Sequence, residues 1–222
     1  MIWPLVPYSY DTIDLHAEGE VPMPPSARHW LGTDNIGRDV VARLIYGFRL
    51  SIIFGLLLTI LSSIVGVTVG AVQGYFGGLV DLIGQRLVEI WTGLPVLFLL
   101  IIVSSLLQPG PGVLLLLLFA FSWTALIPVV RAGFLRTRNF DHVRAARALG
   151  QGDGTIIVRH VLPNAMVATL TFLPFVLNGS IIMLTTLDFL GFGLPLGSPS
   201  LGELLAQGKA NIESPWIVLS AF

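Results

Sequence analysis

The stretch LSIIFGLLLTILSSIVGVTVGAV, residues 50–72, contains no charged side chain, and the next charge after Arg49 is Asp81. The hydrocarbon core of a bilayer is about 30 Å thick, and about 20 apolar residues in an α-helix cross it. Only helices and closed barrels satisfy every backbone polar group in lipid. The stretch therefore predicts a membrane-spanning helix.

Three more apolar runs follow the first. Residues 87–107 are interrupted by Glu89 and Pro95, residues 113–130 end at Arg131, and residues 165–187 include several polar side chains. We therefore expect an all-α polytopic membrane helical bundle with four complete spans.

Both ends of the sequence carry short apolar pieces. The run that begins at Trp216 stops at Phe222, which is too short to cross a bilayer at about 1.5 Å per residue. The opening MIWPLV is too short for the apolar region of a signal peptide. We expect the bundle to be truncated at both ends, with one helix lost before residue 1 and one cut at residue 222.

Composition agrees with a membrane protein. Hydrophobic residues make up 54% of the 222 residues and charged residues 11%, whereas a soluble domain has about 25% charged residues. Disordered proteins, nucleic-acid binders and ordinary cytosolic enzymes are thereby excluded. The sequence has no cysteine and its four histidines are scattered, so we expect no disulfide and no metal site.

Basic residues predict the orientation of the spans. The segment 131–163 contains six arginines and two aspartates, and loops rich in arginine and lysine remain in the cytoplasm. Residues 1–49 and 188–215 then lie on the outer side. We divide the chain into an outer segment, residues 1–49, that leads into the first span, and a transmembrane domain, residues 50–222.

Small residues recur every fourth position in the first span, at Ser62, Gly66, Gly70 and Gly74. Residues with this spacing share one helix face, and small ones let a second helix backbone approach closely. We predict a helix-packing face. The alternative is that glycine is simply common in membrane helices.

Polar side chains within the apolar runs are candidate functional groups, because they are costly in lipid. In the fourth run, the pattern of three such residues predicts either a pore-lining surface or hydrogen bonds between helices: Thr171, Asn178 and Ser180. Glu89 follows Arg86 by three residues. That spacing favours an ion pair at the membrane boundary over a proton or substrate role.

The arginine-rich segment is the most informative part of the chain. Residues 139–149 predict a short helix, with Asn139 or Asp141 as its N-terminal cap and Gly150 as its C-terminal cap. Asp141 also complements the positive end of the helix dipole.

A second short helix is predicted over residues 155–162, capped by Asp153 or Thr155, and Pro163 is expected to mark the entry to the fourth span. Two short helices that meet at a glycine turn would form a knob (residues 139–163). Its cationic rim and small alanines suit an acidic groove on a partner protein. The alternative is a solvated loop.

Nucleotide-hydrolysis motifs are absent from the sequence. Lys209 is the only lysine and lies in QGKA, so the phosphate-binding pattern G-x-x-x-x-G-K-[ST] does not occur. The glycines of GQGDGT, residues 150–155, follow a predicted helix and not a strand, which indicates a turn. We expect no catalytic residue and no cofactor bound by this chain.

The knob resembles a known element of membrane transporters. Arg144-Ala-Ala-x-x-x-Gly150 followed by Leu162-Pro163 is similar to the EAA coupling loop of ABC importer permeases, with Arg144 in place of glutamate and His160 in place of isoleucine. The resemblance implies that the residues coupled to an ATPase are Arg144, Ala145, Ala146, Arg147, Leu149, Gly150, Leu162 and Pro163.

Two further segments narrow the resemblance. HWLGTDNIGRDV, residues 29–40, is similar to the segment before the second helix in the dipeptide and oligopeptide permeases of the DppC and OppC kind. LDFLGFGLPLGSPSLGELL, residues 187–205, looks most like YejE-type permeases. The periplasmic motif of the family would comprise Gly32, Thr33, Asp34, Gly37, Arg38 and Asp39.

The resemblance implies a fold, a task and partners. The fold would be that of a type I ABC importer permease, with residues 131–163 as the cytoplasmic coupling loop and residues 188–215 as a periplasmic segment. The permease would move short peptides or peptide-like compounds across the bacterial inner membrane. Its partners would be a second homologous permease subunit, ATP-binding subunits that hold ATP and magnesium, and a periplasmic substrate-binding protein. A secondary transporter or channel subunit with no ATPase is the alternative, and a structural membrane subunit is a weaker third.

Overall fold

The computed structural model describes residues 6–14, 21–107, 110–195 and 197–222. Within these residues every regular element is helical, apart from two isolated β-bridges. The expected all-α class is confirmed. The helices are α1 (Val40–Phe76), α2 (Gly78–Thr92), α3 (Val96–Leu107), α4 (Pro111–Ser122), α5 (Ile127–Thr137), α6 (Asp141–Ala148), α7 (Asp153–Ile156), α8 (Leu162–Phe189), α9 (Leu201–Ala210) and α10 (Pro215–Ala221).

Three continuous helical stretches are long and apolar enough to cross a membrane. They are α1, the stretch Pro111–Thr137 that joins α4 to α5 through a 3₁₀ turn, and the stretch Asp153–Phe189 that ends with α8. The helices α2 and α3 pass the same test only as a pair. Counting that pair as one span gives four spans.

The α2–α3 pair corrects one prediction. The apolar run 87–107 was expected to form one helix, but α2 and α3 meet at a bend of 62°. The break lies between Thr92 and Val96. Pro95 explains it, because proline lacks an N–H for the helical ladder and disfavours helical backbone at the residue before it.

The first span begins earlier than its apolar run indicates. The N-terminal end of α1 is Val40, well before residue 50, because the Asp39 Oδ1 atom accepts a hydrogen bond of 2.7 Å from the Ala42 N–H. Such a cap satisfies one of the free N–H groups in the first turn. The apolar run therefore marks only the most hydrophobic part of a longer helix.

The last long span also begins early. The predicted separate helix over 155–162 is wrong, because α7, a π turn at Ile157–Val161 and α8 form one continuous stretch. Pro163 lies in the first turn of α8, in line with its expected place at the entry to this apolar span. A proline ring crowds the carbonyl four residues earlier, and the wider π turn just before it relieves that crowding.

The chain divides into two compact units. Unit 1 comprises Met1–Gly55, Leu100–Leu114 and Ile181–Phe222, and unit 2 comprises Leu56–Leu99 and Leu115–Ser180.

In unit 1, helix α9 packs closely on two neighbours. A Cβ on Gly202 would lie 2.3 Å from the Thr185 carbonyl oxygen of α8, and a Cβ on Gly208 would lie 2.5 Å from the Val218 Cγ2 of α10. Glycine is required at both positions because any side chain would push the helices apart. The fully buried apolar residues around these contacts include Leu184, Leu187, Leu204 and Ile217.

In unit 2, the small-residue face of α1 lies against the Pro111–Thr137 stretch. A Cβ on Gly70 would stand 2.9 Å from the Val130 Cβ, and one on Gly74 would stand 2.5 Å from the Phe134 Cβ. Gly66 makes an equally close approach, to the Trp123 carbonyl oxygen. The two helix backbones are therefore as close as glycine allows.

The apolar core of unit 2 joins the end of α1 to the knob. It is formed by residues from α1, the Pro111–Thr137 stretch, α6, α7 and the following turn, and the start of α8: Ala71, Tyr75, Leu126, Val130, Phe134, Val143, Ala146, Ile156, Val161 and Ala165. The knob is therefore packed against helices that are long enough to span a membrane.

Candidate functional site

The first helix of the knob ends in a glycine cap. Gly150 has a φ of 78°, which glycine adopts without the steric cost that other residues meet. The Gly150 N–H donates to the Arg147 carbonyl at 3.0 Å, and the Gln151 N–H donates to the Ala146 carbonyl at 3.2 Å. This pair of bonds is a Schellman motif, which satisfies the last carbonyls of the helix.

The predicted N-terminal caps of the knob helices are wrong. Phe140 precedes α6 and Gly152 precedes α7, and neither contributes a side-chain cap. Asn139 instead donates through Nδ2 to the Leu135 carbonyl at 3.2 Å. Asp141 and Asp153 are the first residues of their helices, where a carboxylate complements the helix dipole without accepting a capping bond.

The tip of the knob is exposed. Leu149 is 80% exposed, and apart from Gly150 itself and its chain neighbours no atom of the described part of the chain lies within 4 Å of the place where a Gly150 Cβ would stand. Arg144 and Ala145 are also exposed, whereas Val143 and Ala146 are buried. One face of α6 is thus held by unit 2, and the other is free to contact another protein.

Arg147 makes its contacts inside the chain. Its Nη2 donates to the Tyr75 hydroxyl at 3.1 Å, and its guanidinium lies 5.6 Å from the centre of the Tyr75 ring. The hydrogen bond to Tyr75 raises the pKa of Arg147 above its usual value, so the side chain stays charged. The Tyr75 hydroxyl in turn donates to Asp153 Oδ1 at 2.5 Å.

The eight predicted coupling residues therefore fall into three groups. Arg144, Ala145, Leu149 and Gly150 lie at the exposed tip, Ala146 and Arg147 contact the rest of unit 2, and Leu162 and Pro163 lie in the first turn of α8. Arg147 and Pro163 are exposed as well, but Arg147 bonds to Tyr75 and Pro163 lies in a different helix, so the first group alone forms the free tip.

Two more arginines of the segment 131–163 also bind within unit 2. Arg131 forms a two-pronged ion pair with Asp81 of α2, in which Nη2 and Oδ2 are 2.6 Å apart. Arg138 donates through Nη1 to the carbonyls of Gly74 and Tyr75, at 3.2 and 3.0 Å. These carbonyls are at the C-terminal end of α1, which attracts positive charge. Sequence reasoning used both arginines only as markers of orientation.

In unit 1, the predicted periplasmic motif forms a buried ionic cluster. Asp34 is fully buried, accepts hydrogen bonds from the backbone of Ile36 and Arg38, and pairs through Oδ2 with Arg38 Nε at 2.7 Å. Arg43 is also fully buried and pairs with Glu203 of α9 at 2.9 Å. We call Asp34, Arg38, Arg43 and Glu203 the ionic cluster.

Sequence reasoning missed half of this cluster. Arg43 lies three residues after the first resembling segment and Glu203 lies within the second, and neither was a candidate site residue. Opposite charge was the one available signal, because the two residues are separated by 160 positions. Their contact joins the start of α1 to α9.

The remaining residues of the motif shape the backbone around the cluster. Asp39 caps α1, and its Oδ2 shares a hydrogen bond of 2.8 Å with His29 Nδ1. Thr33 exchanges hydrogen bonds with the Met23 backbone, and its carbonyl accepts from the Trp216 indole at 3.4 Å. Gly32 and Gly37 have positive φ angles of 75° and 87°. The motif is therefore a folded platform rather than an exposed binding patch.

The loop between α8 and α9 is held by Asp188. Its Oδ1 accepts from the Leu194 N–H at 2.6 Å, and its Oδ2 accepts from the Ser200 hydroxyl at 2.5 Å. Ser200 also caps α9, since its Oγ accepts from the N–H groups of Gly202 and Glu203. These bonds place Glu203 where it meets the arginines.

The three predicted pore-lining residues do not share one surface. Thr171 and Asn178 are exposed on α8, but Ser180 is 6% exposed. The hydroxyls of Thr171 and Ser180 both donate to carbonyls one turn earlier in the same helix. Only Thr171 and Asn178, seven residues apart, remain candidates for one polar stripe.

Glu89 forms the ion pair that its spacing favours, with Arg86 on the exposed side of α2. Among the described residues, no group of three or more histidine, aspartate or glutamate side chains could hold a metal ion.

Comparison with known proteins identifies relatives that cover this whole arrangement. Residues 62–222 match the family described as binding-protein-dependent transport system inner membrane component. The chain is 54% identical to the peptidoglycan transport system permease protein YejE of Agrobacterium fabrum and 58% identical to the inner membrane ABC transporter permease protein YejE of Escherichia coli. Both matches cover 100% of this chain and 65% of the relative. The oligopeptide transport system permease protein OppC of Mycobacterium tuberculosis is 37% identical over 97% of this chain and 74% of its own length.

Proposed function

The chain belongs to the family of binding-protein-dependent transport system inner membrane components, and we propose that it forms the translocating and coupling part of a peptide importer. It is a multi-pass inner-membrane chain and spans 65% of the length of the two YejE relatives. In the whole permease it would move short peptides or peptide-like compounds into the cell. The observation that carries this proposal is the exposed, glycine-capped tip of the knob on a base of packed helices.

The tip offers a contact surface of mixed chemistry. Leu149 presents an apolar side chain, Arg144 presents a positive charge, and Gly150 leaves space for a partner backbone. Such a surface fits a groove with an apolar floor and an acidic wall, because desolvated apolar contact supplies affinity and opposite charge directs association. We assign this groove to an ATP-binding subunit that holds ATP and magnesium.

The other partners follow from the same task. A second homologous permease would complete the path, and a periplasmic substrate-binding protein would deliver cargo to the side formed by residues 1–49 and 188–215. The ionic cluster supports such a docking role because it makes that part of unit 1 a firm platform. Peptide units are the chemistry common to the cargo named for the relatives, which are described as transporting peptidoglycan or oligopeptides.

The mechanism assigns no bond chemistry to this chain. When ATP draws two ATP-binding subunits together, their grooves would pull on the tip of each knob. Because the knob shares an apolar core with α1, α5 and α8, the pull would move these helices together. The path would then change from inward-open to outward-open, and peptide would enter from the docked binding protein.

Replacement of Gly150 by valine tests the proposal. A valine at a φ of 78° is strained, and its branched side chain would occupy the contact. In the full-length permease, reconstituted with its partners in liposomes, we expect normal insertion and subunit pairing. Association with the ATP-binding subunit, stimulation of ATP hydrolysis by loaded binding protein, and peptide uptake should all fall.

Gly191→Val is the matched control. Gly191 has a φ of 80° and, like Gly150, open space around its Cβ position, but it lies in unit 1. We expect this variant to bind the ATP-binding subunit as the wild type does. Full stimulation in Gly150→Val, or equal loss of association in both variants, would overturn the coupling role. Transport without any associated ATPase would favour a secondary transporter or channel.

A further inference from the structure

Four chain segments meet around the last turn of α1. Tyr75 is 4% exposed, and its hydroxyl bonds to Arg147 of α6 and Asp153 of α7 at the same time. Arg138, which follows α5, binds the Tyr75 carbonyl. A single residue of α1 thus contacts both helices of the knob and the end of the helix before it.

We propose that Tyr75 is the positioning residue that joins the knob to the first membrane helix, and that its hydroxyl carries the pull from the knob to α1. This inference rests on the proposed function and adds the residues behind the contact surface that transmit the motion. We call Tyr75, Arg147 and Asp153 the latch.

The chemistry of the latch suits a mechanical joint. The phenol accepts a charge-assisted bond from Arg147 and donates one to the Asp153 carboxylate, and hydrogen bonds to ionised groups are stronger than neutral ones. The guanidinium also packs over the ring. Arg147 and Asp153 come from opposite sides of the Gly150 turn, so the hydroxyl keeps α6 and α7 together as well as fixing both to α1.

The apolar core alone does not define this joint. Ala146 and Ile156 are buried against α1, but apolar contacts are non-directional and allow small rotations. Hydrogen bonds weaken steeply as their angle departs from linearity. The latch therefore fixes the direction in which the knob can move relative to the end of α1.

Tyr75→Phe removes the hydroxyl and leaves the ring in the core. In the reconstituted full-length complex, we expect unchanged affinity for the ATP-binding subunit and unchanged basal ATP hydrolysis, because the tip is untouched. Stimulation by loaded binding protein and peptide uptake should fall at least about five-fold, because the coupled state loses both hydrogen bonds of the hydroxyl and one net hydrogen bond already accounts for a factor of about five. Wild-type stimulation and uptake would overturn the inference.

Tyr46→Phe is the matched control. Tyr46 lies near the other end of the same helix, in unit 1, and its replacement should leave stimulation and uptake unchanged. Asp153→Ala should reproduce part of the Tyr75→Phe loss, because the bond from Arg147 to the hydroxyl remains, and the double variant should be no worse than Tyr75→Phe. Additive losses would show that the two side chains act separately, against the latch.

A distance measurement tests the latch without the ATPase. The 222 residues contain no cysteine, so spin labels can be placed at Leu149 and Ile64, which are 80% and 61% exposed. In the full-length permease, pulsed electron paramagnetic resonance should give a narrow distribution of distances for the wild type and a broader one for Tyr75→Phe. Equal widths would overturn the latch.

The two proposals can fail separately. Gly150→Val reports on the contact with the ATP-binding subunit, and the label distances report on the joint behind it. Loss of coupling in Gly150→Val together with full coupling in Tyr75→Phe would overturn the latch alone.

Discussion

The ionic cluster of unit 1 and the knob of unit 2 both depend on arginine, but they use it in opposite ways. In the cluster, Arg38 and Arg43 are at most 7% exposed and face the carboxylates of Asp34 and Glu203. In the knob, Arg144 and Arg159 are exposed and make no hydrogen bond or ion pair within the described part of the chain. Charge is neutralised inside the protein in one region and left for a partner in the other.

Buried charges and exposed charges serve different purposes: the first stabilise the fold, and the second bind a partner. A buried charge needs a fixed counter-charge, because an unpaired one loses its hydration without compensation. Exposed charges cost little and direct association with a partner of opposite sign. The same residue type therefore stabilises the platform in unit 1 and serves contact in unit 2.

The knob itself contains both kinds of arginine, because within the described part of the chain the side chain of Arg144 makes no hydrogen bond or ion pair, whereas that of Arg147 does. Its charge lies three residues from Arg144, yet it bonds to Tyr75 rather than to solvent alone. A charge-reversed Arg147 would therefore disturb the latch, and only Arg144 tests the outer surface cleanly.

The largest expected effect concerns which side of the membrane each region faces. The side chains of Leu149, in the knob, and Ile212, in unit 1, are equal in size and are 80% and 85% exposed. In full-length permease in cells, Leu149→Cys should react with an impermeant thiol reagent only from the cytoplasm, and Ile212→Cys only from the periplasm. Labelling of both from the same side would contradict the proposed orientation.

A smaller effect separates buried from exposed carboxylates. Asp34→Asn keeps an oxygen for the bonds from Ile36 and Arg38 but removes the charge that faces two buried arginines. We expect the full-length permease to lose about 3 kcal/mol of stability, because the remaining charges are uncompensated. Thermal unfolding in detergent, followed by tryptophan fluorescence, measures the loss.

Asp141→Asn is the control for that substitution. Asp141 is exposed at the first position of α6, where its charge contributes only through the helix dipole. The expected cost is less than about 1 kcal/mol. Equal losses for Asp34→Asn and Asp141→Asn would show that the ionic cluster is not the stabilising feature we describe.

Local patterns in the sequence predict the spans and the glycine cap. The apolar runs place the three continuous spans and the bent α2–α3 pair, because burial in lipid acts on each segment by itself. Gly150 follows residues with helical character, and its position alone indicates the C-terminal end of α6. Both features depend on residues that are close in the sequence.

The wrong predictions involve neighbouring residues that compete for one cap position, and the missed contacts involve residues that are far apart in the sequence. The caps fail because Phe140 and Gly152 take the positions that Asn139 or Asp141, and Asp153 or Thr155, were expected to fill. The ionic cluster and the latch were missed because their members are far apart: Arg43 and Glu203 are separated by 160 positions, and Tyr75 and Asp153 by 78. Such contacts leave no periodic pattern in the sequence.

The smallest expected effect concerns the outer charge of the knob. Arg144→Glu reverses a charge on the exposed face of α6 and touches no described hydrogen bond. At low salt we expect the ATP-binding subunit to bind about five-fold more weakly, since rim charges contribute about 1 kcal/mol through steering and attraction. At high salt the difference should vanish, because screening shortens the reach of exposed charges to a few ångströms.

Arg28→Glu provides the comparison that makes this result specific. Arg28 is exposed in unit 1, and the same change of charge there should leave the affinity for the ATP-binding subunit unaltered at both salt concentrations. Titration of labelled ATP-binding subunit onto the full-length permease measures both variants. If Arg144→Glu weakens binding equally at low and high salt, Arg144 acts through packing and the knob is recognised by shape. If Arg28→Glu weakens it as much as Arg144→Glu does, overall charge rather than the knob directs association.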